Sequence, residues 1–119
     1  VSDRRKKTGR QGEAIAAAYF VGQGYTILQR NWRCPAGELD LVMARGSTLV
    51  FVEVRARRGN RFGLAEESIT PAKRARLIAL VETYLQQEQP SHPTWRIDVA
   101  AVYLDQGPQV THIENAVGW

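Results

Sequence analysis

Leu49-Val50-Phe51-Val52 is a nearly continuous apolar run, the mark of a β-strand covered on both faces. Acidic residues bracket it: Glu38 and Asp40 come before it, and Glu53 follows directly. Residues Glu38–Ala44 read as a strand, Thr48–Arg57 as the next, and Arg45-Gly46-Ser47 as their connection. Gly46-Ser47 suits a two-residue type II′ turn, with glycine at the first central position. That turn sets Arg45 opposite Thr48, and by extension Asp40 opposite Glu53 and Glu38 opposite Arg55. Period-two alternation then places all four on one sheet face, with Leu39, Leu41, Val52 and Val54 on the other.

Directly opposed side chains are ~4.5–5.5 Å apart at Cβ, and like charges there repel. Two facing carboxylates beside a buried strand call for a cation or a shared proton. Oxygen ligands with open positions suit Mg²⁺ or Mn²⁺. The alternative is a solvated strand face on which Glu38 and Arg55 form a cross-strand ion pair.

The remaining elements follow from local signals. Thr8-Gly9-Arg10-Gln11 has the form of a capping box opening a helix through Ala14, Ala16–Ala18 and Phe20, ended by Gly22 and Gly24. Thr26–Arg33 reads as a strand and Cys34-Pro35-Ala36-Gly37 as a turn. Residues 58–69 are a Gly- and Arg-rich loop. Thr70-Pro71 opens a second helix with Leu77, Ile78, Val81 and Leu85 on one face, closed by Pro90 and Pro93. Trp95–Leu104 is a fourth strand and Val110–Asn115 a weaker fifth. The order α-β-β-β-α-β implies an α/β fold: a mixed sheet flanked by helices, in which the second helix crosses over to a parallel fourth strand.

One domain spanning 1–119 is expected, with residues 1–7 as a flexible basic tail. A chain of 119 residues buries a core without staples. The single cysteine, Cys34, forms no internal disulfide, and a cytoplasmic setting is the default. No segment is apolar for a bilayer's thickness, and no apolar signal-peptide core follows the charged N-terminus. The net charge of +4 hides a division: residues 1–76 carry +8 and residues 77–119 carry −4. The basic half could attract a polyanion.

Gly37-Glu38-Leu39-Asp40-Leu41 followed by Phe51-Val52-Glu53-Val54-Arg55 resembles the PD-(D/E)xK motif of the restriction-endonuclease-like superfamily. More narrowly, the chain resembles the YraN family of small predicted bacterial nucleases, similar to archaeal Holliday-junction resolvases. Gly12-Glu13, Ala16, Arg30-Asn31-Trp32-Arg33, Phe62-Gly63, Lys73 and Arg96-Ile97-Asp98-Val99 carry that likeness. The resemblance implies a metal-dependent endonuclease acting on DNA, branched or single-stranded, with a homodimer by analogy. It implies Asp40, Glu53 and the Val54 carbonyl as ligands of Mg²⁺ or Mn²⁺, and Glu13 as a helix acid near the metal. Arg55 occupies the motif's lysine position; it stays protonated and cannot accept a proton. A non-catalytic nucleic-acid-binding module with an impaired nuclease site is therefore the alternative. Lys73 is a candidate substitute for the missing lysine.

Arg57, Arg58, Arg61, Lys73 and Arg74, with Arg76, cluster after the third strand and in the first turns of the second helix. Cations there oppose the helix dipole, so phosphate contact is the expectation. Trp32 reads as packing, and Cys34, His92 and His112 as structural or incidental.

Overall fold

The computed structural model describes residues 3–58, 69–92, 94–105 and 107–116. The elements are α1 (Asp3–Gly22), β1 (Thr26–Cys34), β2 (Gly37–Arg45), β3 (Thr48–Arg57), α2 (Pro71–Glu88), β4 (Thr94–Tyr103) and β5 (Gln109–Ile113). The strands lie in sequence order in one five-stranded sheet. The first three form an antiparallel meander, β4 runs parallel to β3, and β5 returns antiparallel to β4. Among the described residues, no helix is long and apolar enough to cross a membrane.

Alternation along the central strands explains the layers. Val50, Val52, Ala100 and Val102 pack with Ala16, Ala17 and Phe20 of α1. Their neighbours Leu49, Phe51 and Ile97 pack with Leu77, Leu80, Val81 and Tyr84 of α2. The helices therefore cover opposite faces, as the apolar run of β3 requires.

Gly46 has φ 59° while Ser47 is absent from the positive-φ residues, the pattern of a type II′ turn. The β2–β3 ladder runs from Arg45↔Thr48 to Leu41↔Val52, which is the expected register. It stops one rung short of Asp40 and Glu53. At α2, Thr70 caps the helix by accepting from Lys73 N–H at 3.2 Å, and Pro71 occupies the first turn as its missing donor allows.

Two expectations at the N-terminus are corrected. α1 begins at Asp3, so residues 3–7 are helix rather than tail, and Thr8 and Gln11 lie inside it. Their side chains accept from Arg58 instead: Nε to Thr8 Oγ1 at 3.4 Å and Nη2 to Gln11 Oε1 at 2.8 Å. A contact from the end of β3 thus uses the polar groups that a capping box would spend on backbone amides.

α1 lies close on β3 because of Gly12. A Cβ there would come 2.5 Å from the Ala56 Cβ, a separation no side chain tolerates. Glu13 is the next residue, so this close approach fixes its distance from the sheet.

Candidate metal centre

Strict alternation fails at one point in β2. Leu39 packs into the α2 layer and Leu41 into the α1 layer, although they are two residues apart. Asp40 lies between them, at the end of the β2–β3 ladder. On the other side of β2, the rungs Arg30↔Leu41 and Trp32↔Leu39 bracket Asn31, whose φ is 56°. Asparagine tolerates this left-handed conformation better than most residues. Beside this break the β2–β3 ladder ends at Leu41↔Val52, leaving a gap in the pairing at Asp40 and Glu53.

The acids are distributed around that gap. Val54 N–H donates to Asp40 Oδ2 at 2.8 Å, and the Asp40 carboxyl also shares a hydrogen bond with Glu53. On the α1 side, one carboxylate oxygen each from Glu13, Glu38 and Asp40 lie within 4.8 Å of one another. Asn31 hydrogen-bonds Glu13. Asp40 is therefore common to two acidic contacts, one toward α1 and one toward β3.

The expected placement on a single face is corrected accordingly. Glu38 is not opposite Arg55 in a ladder; it pairs with Arg33 of β1, whose Nε lies 3.0 Å from Glu38 Oε2. Arg55 turns to Glu53, with Nη1 at 3.5 Å from Oε2, and Arg76 of α2 approaches the same oxygen at 3.6 Å. Glu53 is only 7% exposed. It has two guanidinium groups beside it, whereas Asp40 forms no ion pair among the described residues.

Burial pushes the Asp40 carboxyl up to about 8, with the nearby charge of Glu53 the next contribution. Glu13 is also raised, mainly by burial and further by Glu38, against the lowering effect of its Asn31 hydrogen bond. Repulsion from Arg55 lowers the Lys73 ammonium, and the charge of Glu53 acts on it in the opposite sense. Lys73 thus lies within electrostatic reach of the site.

These residues fit a hard divalent cation. Their donors are carboxylate oxygens, with no sulfur or imidazole in the group. Ligand distances of ~2.0–2.1 Å for Mg²⁺ let oxygens up to ~4 Å apart share one ion, close to the spread observed. The N–H and C=O of one strand residue point the same way. Val54 N–H faces Asp40, so its carbonyl faces the same gap, where it could serve as a further ligand. A cation would also relieve the crowding that now drives Asp40 to hold a proton.

The cations expected to meet phosphate divide into groups. Arg58 is engaged by α1, and Arg57 donates from Nη1 to the Ala56 carbonyl at 3.1 Å. Lys73 and Arg74 lie at the start of α2, and Arg76 reaches Glu53. Arg61 and Phe62-Gly63 lie outside the described residues. A second basic group escaped the sequence reading: Lys6, Arg10 and Arg33 line an open cleft of about 540 Å³ with Glu13, Asn31 and Glu38. Glu38 was also missed as a site acid. Its two-residue spacing from Asp40 was the available signal.

Trp32 packs edge-on against Tyr84, with ring centroids 5.2 Å apart. His112 is structural but not incidental. Its Nε2 lies 2.7 Å from Oδ2 of Asp98, which is fully buried.

Comparison with known sequences matches residues 12–102 to the profile of a family described as "Uncharacterised protein family UPF0102". That stretch includes Glu13, Glu38, Asp40, Glu53 and Arg55. A UPF0102 protein of Roseiflexus castenholzii is 47% identical over 116 residues, covering 97% of this chain and 94% of the relative. One from Pelotomaculum thermopropionicum is 48% identical over 119 residues, covering 98% and 99%. A third, from Dehalococcoides mccartyi, is 47% identical over 115 residues, covering 96% and 95%. With the profile match spanning the candidate centre and these relatives aligned almost end to end, the chain belongs to the UPF0102 family.

Proposed function

We propose that this protein is a Mg²⁺- or Mn²⁺-dependent endonuclease of the PD-(D/E)xK type that hydrolyses phosphodiester bonds in DNA. The observation that carries the reading is Asp40. It is a half-buried carboxyl between Glu53 and the Glu13–Glu38 pair, at a break in the sheet. A core without a ligand to bind would gain little from four acids in one place, since like charges in a poorly solvated site repel.

Asp40, Glu53 and the Val54 carbonyl would hold the metal, with Glu13 and Glu38 contacting it directly or through water. A metal there supplies a Lewis acid that lowers the pKa of water and offsets charge on the phosphate. The chain's own residues do the rest. Val54 N–H holds the Asp40 carboxylate in place, and Asn31 orients Glu13. Arg55, whose Nε is buried without a partner among the described residues, would offer the exposed part of its guanidinium to a phosphate oxygen. Lys73 stands within electrostatic reach of Glu53 and could contact the same phosphate. The test is cleavage of single-stranded, duplex and four-way-junction DNA in Mn²⁺, with Asp40→Asn as control. Cleavage that survives Asp40→Asn rejects the site.

Arg55 favours a second reading. Its guanidinium lies beside Glu53, where it competes with a cation for a required ligand. A protein that binds DNA and has lost turnover would look the same. Salt-dependent DNA binding without cleavage under any metal supports that alternative.

A further inference from the structure

The cleft lined by Lys6, Arg10, Glu13, Asn31, Arg33 and Glu38 carries three cations, Lys6, Arg10 and Arg33, that have no part in the acid chemistry just described. Two of its residues, Glu13 and Glu38, nevertheless belong to the metal-compatible trio. The cleft is therefore continuous with the candidate centre and opens from it along α1. Lys6 and Arg10 are four residues apart, and Arg10 and Glu13 three, so the three side chains follow one line on the helix. That line extends about 10 Å along the axis. Lys6 and Arg10 are exposed, and neither forms an ion pair among the described residues. Arg33 pairs with Glu38, and its side chain is 76% exposed.

From this geometry we infer that the cleft seats the phosphates of one DNA strand next to the scissile bond, with Lys6 and Arg10 as their contacts. The inference rests on the proposed nuclease reading and names the strand's path. An anionic strand matches the exposed cations. Glu13 and Glu38 would repel it at the inner end until a divalent cation joins them. Binding through this cleft is therefore coupled to the metal. A recess of about 540 Å³ falls in the ~300–1,000 Å³ range of small-ligand pockets. It lies between one helix and the edge strand β1, which suits a single strand rather than a duplex.

The test measures fluorescence anisotropy of a labelled oligothymidylate and of a blunt duplex, each with Ca²⁺ and with EDTA. Wild type is compared with Lys6→Ala/Arg10→Ala and with Lys6→Arg/Arg10→Lys. Both positions are exposed, and circular dichroism verifies that each variant is folded. The alanine pair should weaken single-strand binding about ten-fold in Ca²⁺. It should also flatten the salt slope by about 1.4, since each single-strand phosphate contact contributes ~0.7. The Arg/Lys exchange should retain binding, and the alanine loss should be smaller in EDTA and on duplex. Unchanged affinity, equal losses on both DNAs, or no metal dependence of the loss overturns the inference. Mn²⁺ cleavage is scored separately. Cleavage by wild type with no effect of the alanine pair rejects the cleft and leaves the nuclease reading standing. The specified binding loss with no cleavage by any form supports the cleft and rejects the enzyme.

Discussion

Val54 N–H reaches Asp40 Oδ2 at 2.8 Å, just beyond the last β2–β3 rung at Leu41 and Val52. A backbone donor that would have served the ladder instead holds a side chain. In doing so it ties the position of Asp40 to β3, so the carboxyl is fixed where the strands part. Preorganisation of this kind is what a ligand site would require of a sheet defect.

Asp40 should make the stability of the metal-free protein depend on pH. Folding raises the Asp40 carboxyl from 3.8 to about 8. Between those values the folded chain binds a proton that the unfolded chain has lost, so stability declines as pH rises. The contribution is complete below about pH 4 and gone above about pH 8. Asparagine can still accept from Val54 N–H but does not ionise. In metal-free urea denaturation, Asp40→Asn should therefore gain on wild type steadily from about pH 4 to about pH 8. A constant difference across that window would show that Asp40 does not titrate there.

Metal binding should show the complementary dependence. A cation that ligates ionised Asp40 must displace its proton, so affinity rises with pH up to about 8. Mn²⁺ should raise the melting temperature more at pH 8 than at pH 6, by mass action on the folded state. An equal shift at both pH values would place the metal elsewhere.

Gly12 and Gly9 test the helix contact within one element. A Cβ at Gly9 meets no atom of the described residues within 4 Å, whereas one at Gly12 meets the Ala56 Cβ at 2.5 Å. Gly9→Ala should stabilise by about 0.5–1 kcal/mol through helix propensity alone. Gly12→Ala should destabilise by about 1–2 kcal/mol, overpacking exceeding that gain. It should also weaken Mn²⁺ binding by moving Glu13. Ala56→Gly should restore part of the loss, and failure of that rescue would mean the contact is not limiting.

Much of this could be read from the chain. Gly46-Ser47 specified the turn and hence the register, and the apolar run of β3 required a layer on each face. The acids' partners were less legible. Period-two counting assumes an unbroken strand, and the switch of face between Leu39 and Leu41 breaks it in a way that spacing does not reveal. Glu38 was therefore assigned to Arg55 when it faces Arg33. Likewise Thr8 and Gln11 fit a cap by sequence, and the partner that engages them lies 47 or more residues away.

Asp98 anchors a separate network. Its carboxylate is fully buried and accepts from Arg96 Nε at 3.0 Å and Asn115 N–H at 2.9 Å, with His112 Nε2 at 2.7 Å. Arg96 continues to the Tyr25 hydroxyl at 2.9 Å. These bonds join β4, β5 and the start of β1. Asp98→Ala would take the carboxylate partner from the Arg96 guanidinium and from two further donors, and should cost about 3–5 kcal/mol in urea denaturation. A loss under about 1 kcal/mol, the size of an exposed pair, would show that the network does not hold β5.

Arg55 decides between the enzyme and the binding module. Its Nη1 lies 3.5 Å from Glu53 Oε2, and its Nε is buried with no hydrogen-bond partner among the described residues. The guanidinium thus occupies space beside a proposed ligand, with one donor unsatisfied among the described residues. Lysine would place a compact charge on a flexible stem, free to turn from Glu53 toward a phosphate. Arg76 would remain beside Glu53 at 3.6 Å, so Glu53 would keep one cationic neighbour. Arg55→Lys should therefore accelerate Mn²⁺-dependent cleavage about ten-fold, or ~1.4 kcal/mol of barrier. Asp40→Asn in that background should abolish the activity while the protein stays folded. If wild type cleaves efficiently and Arg55→Lys is no faster, arginine is a competent substitute and the impaired site is rejected. If neither form cleaves but both bind DNA with a steep salt dependence, the acids around Asp40 serve binding alone.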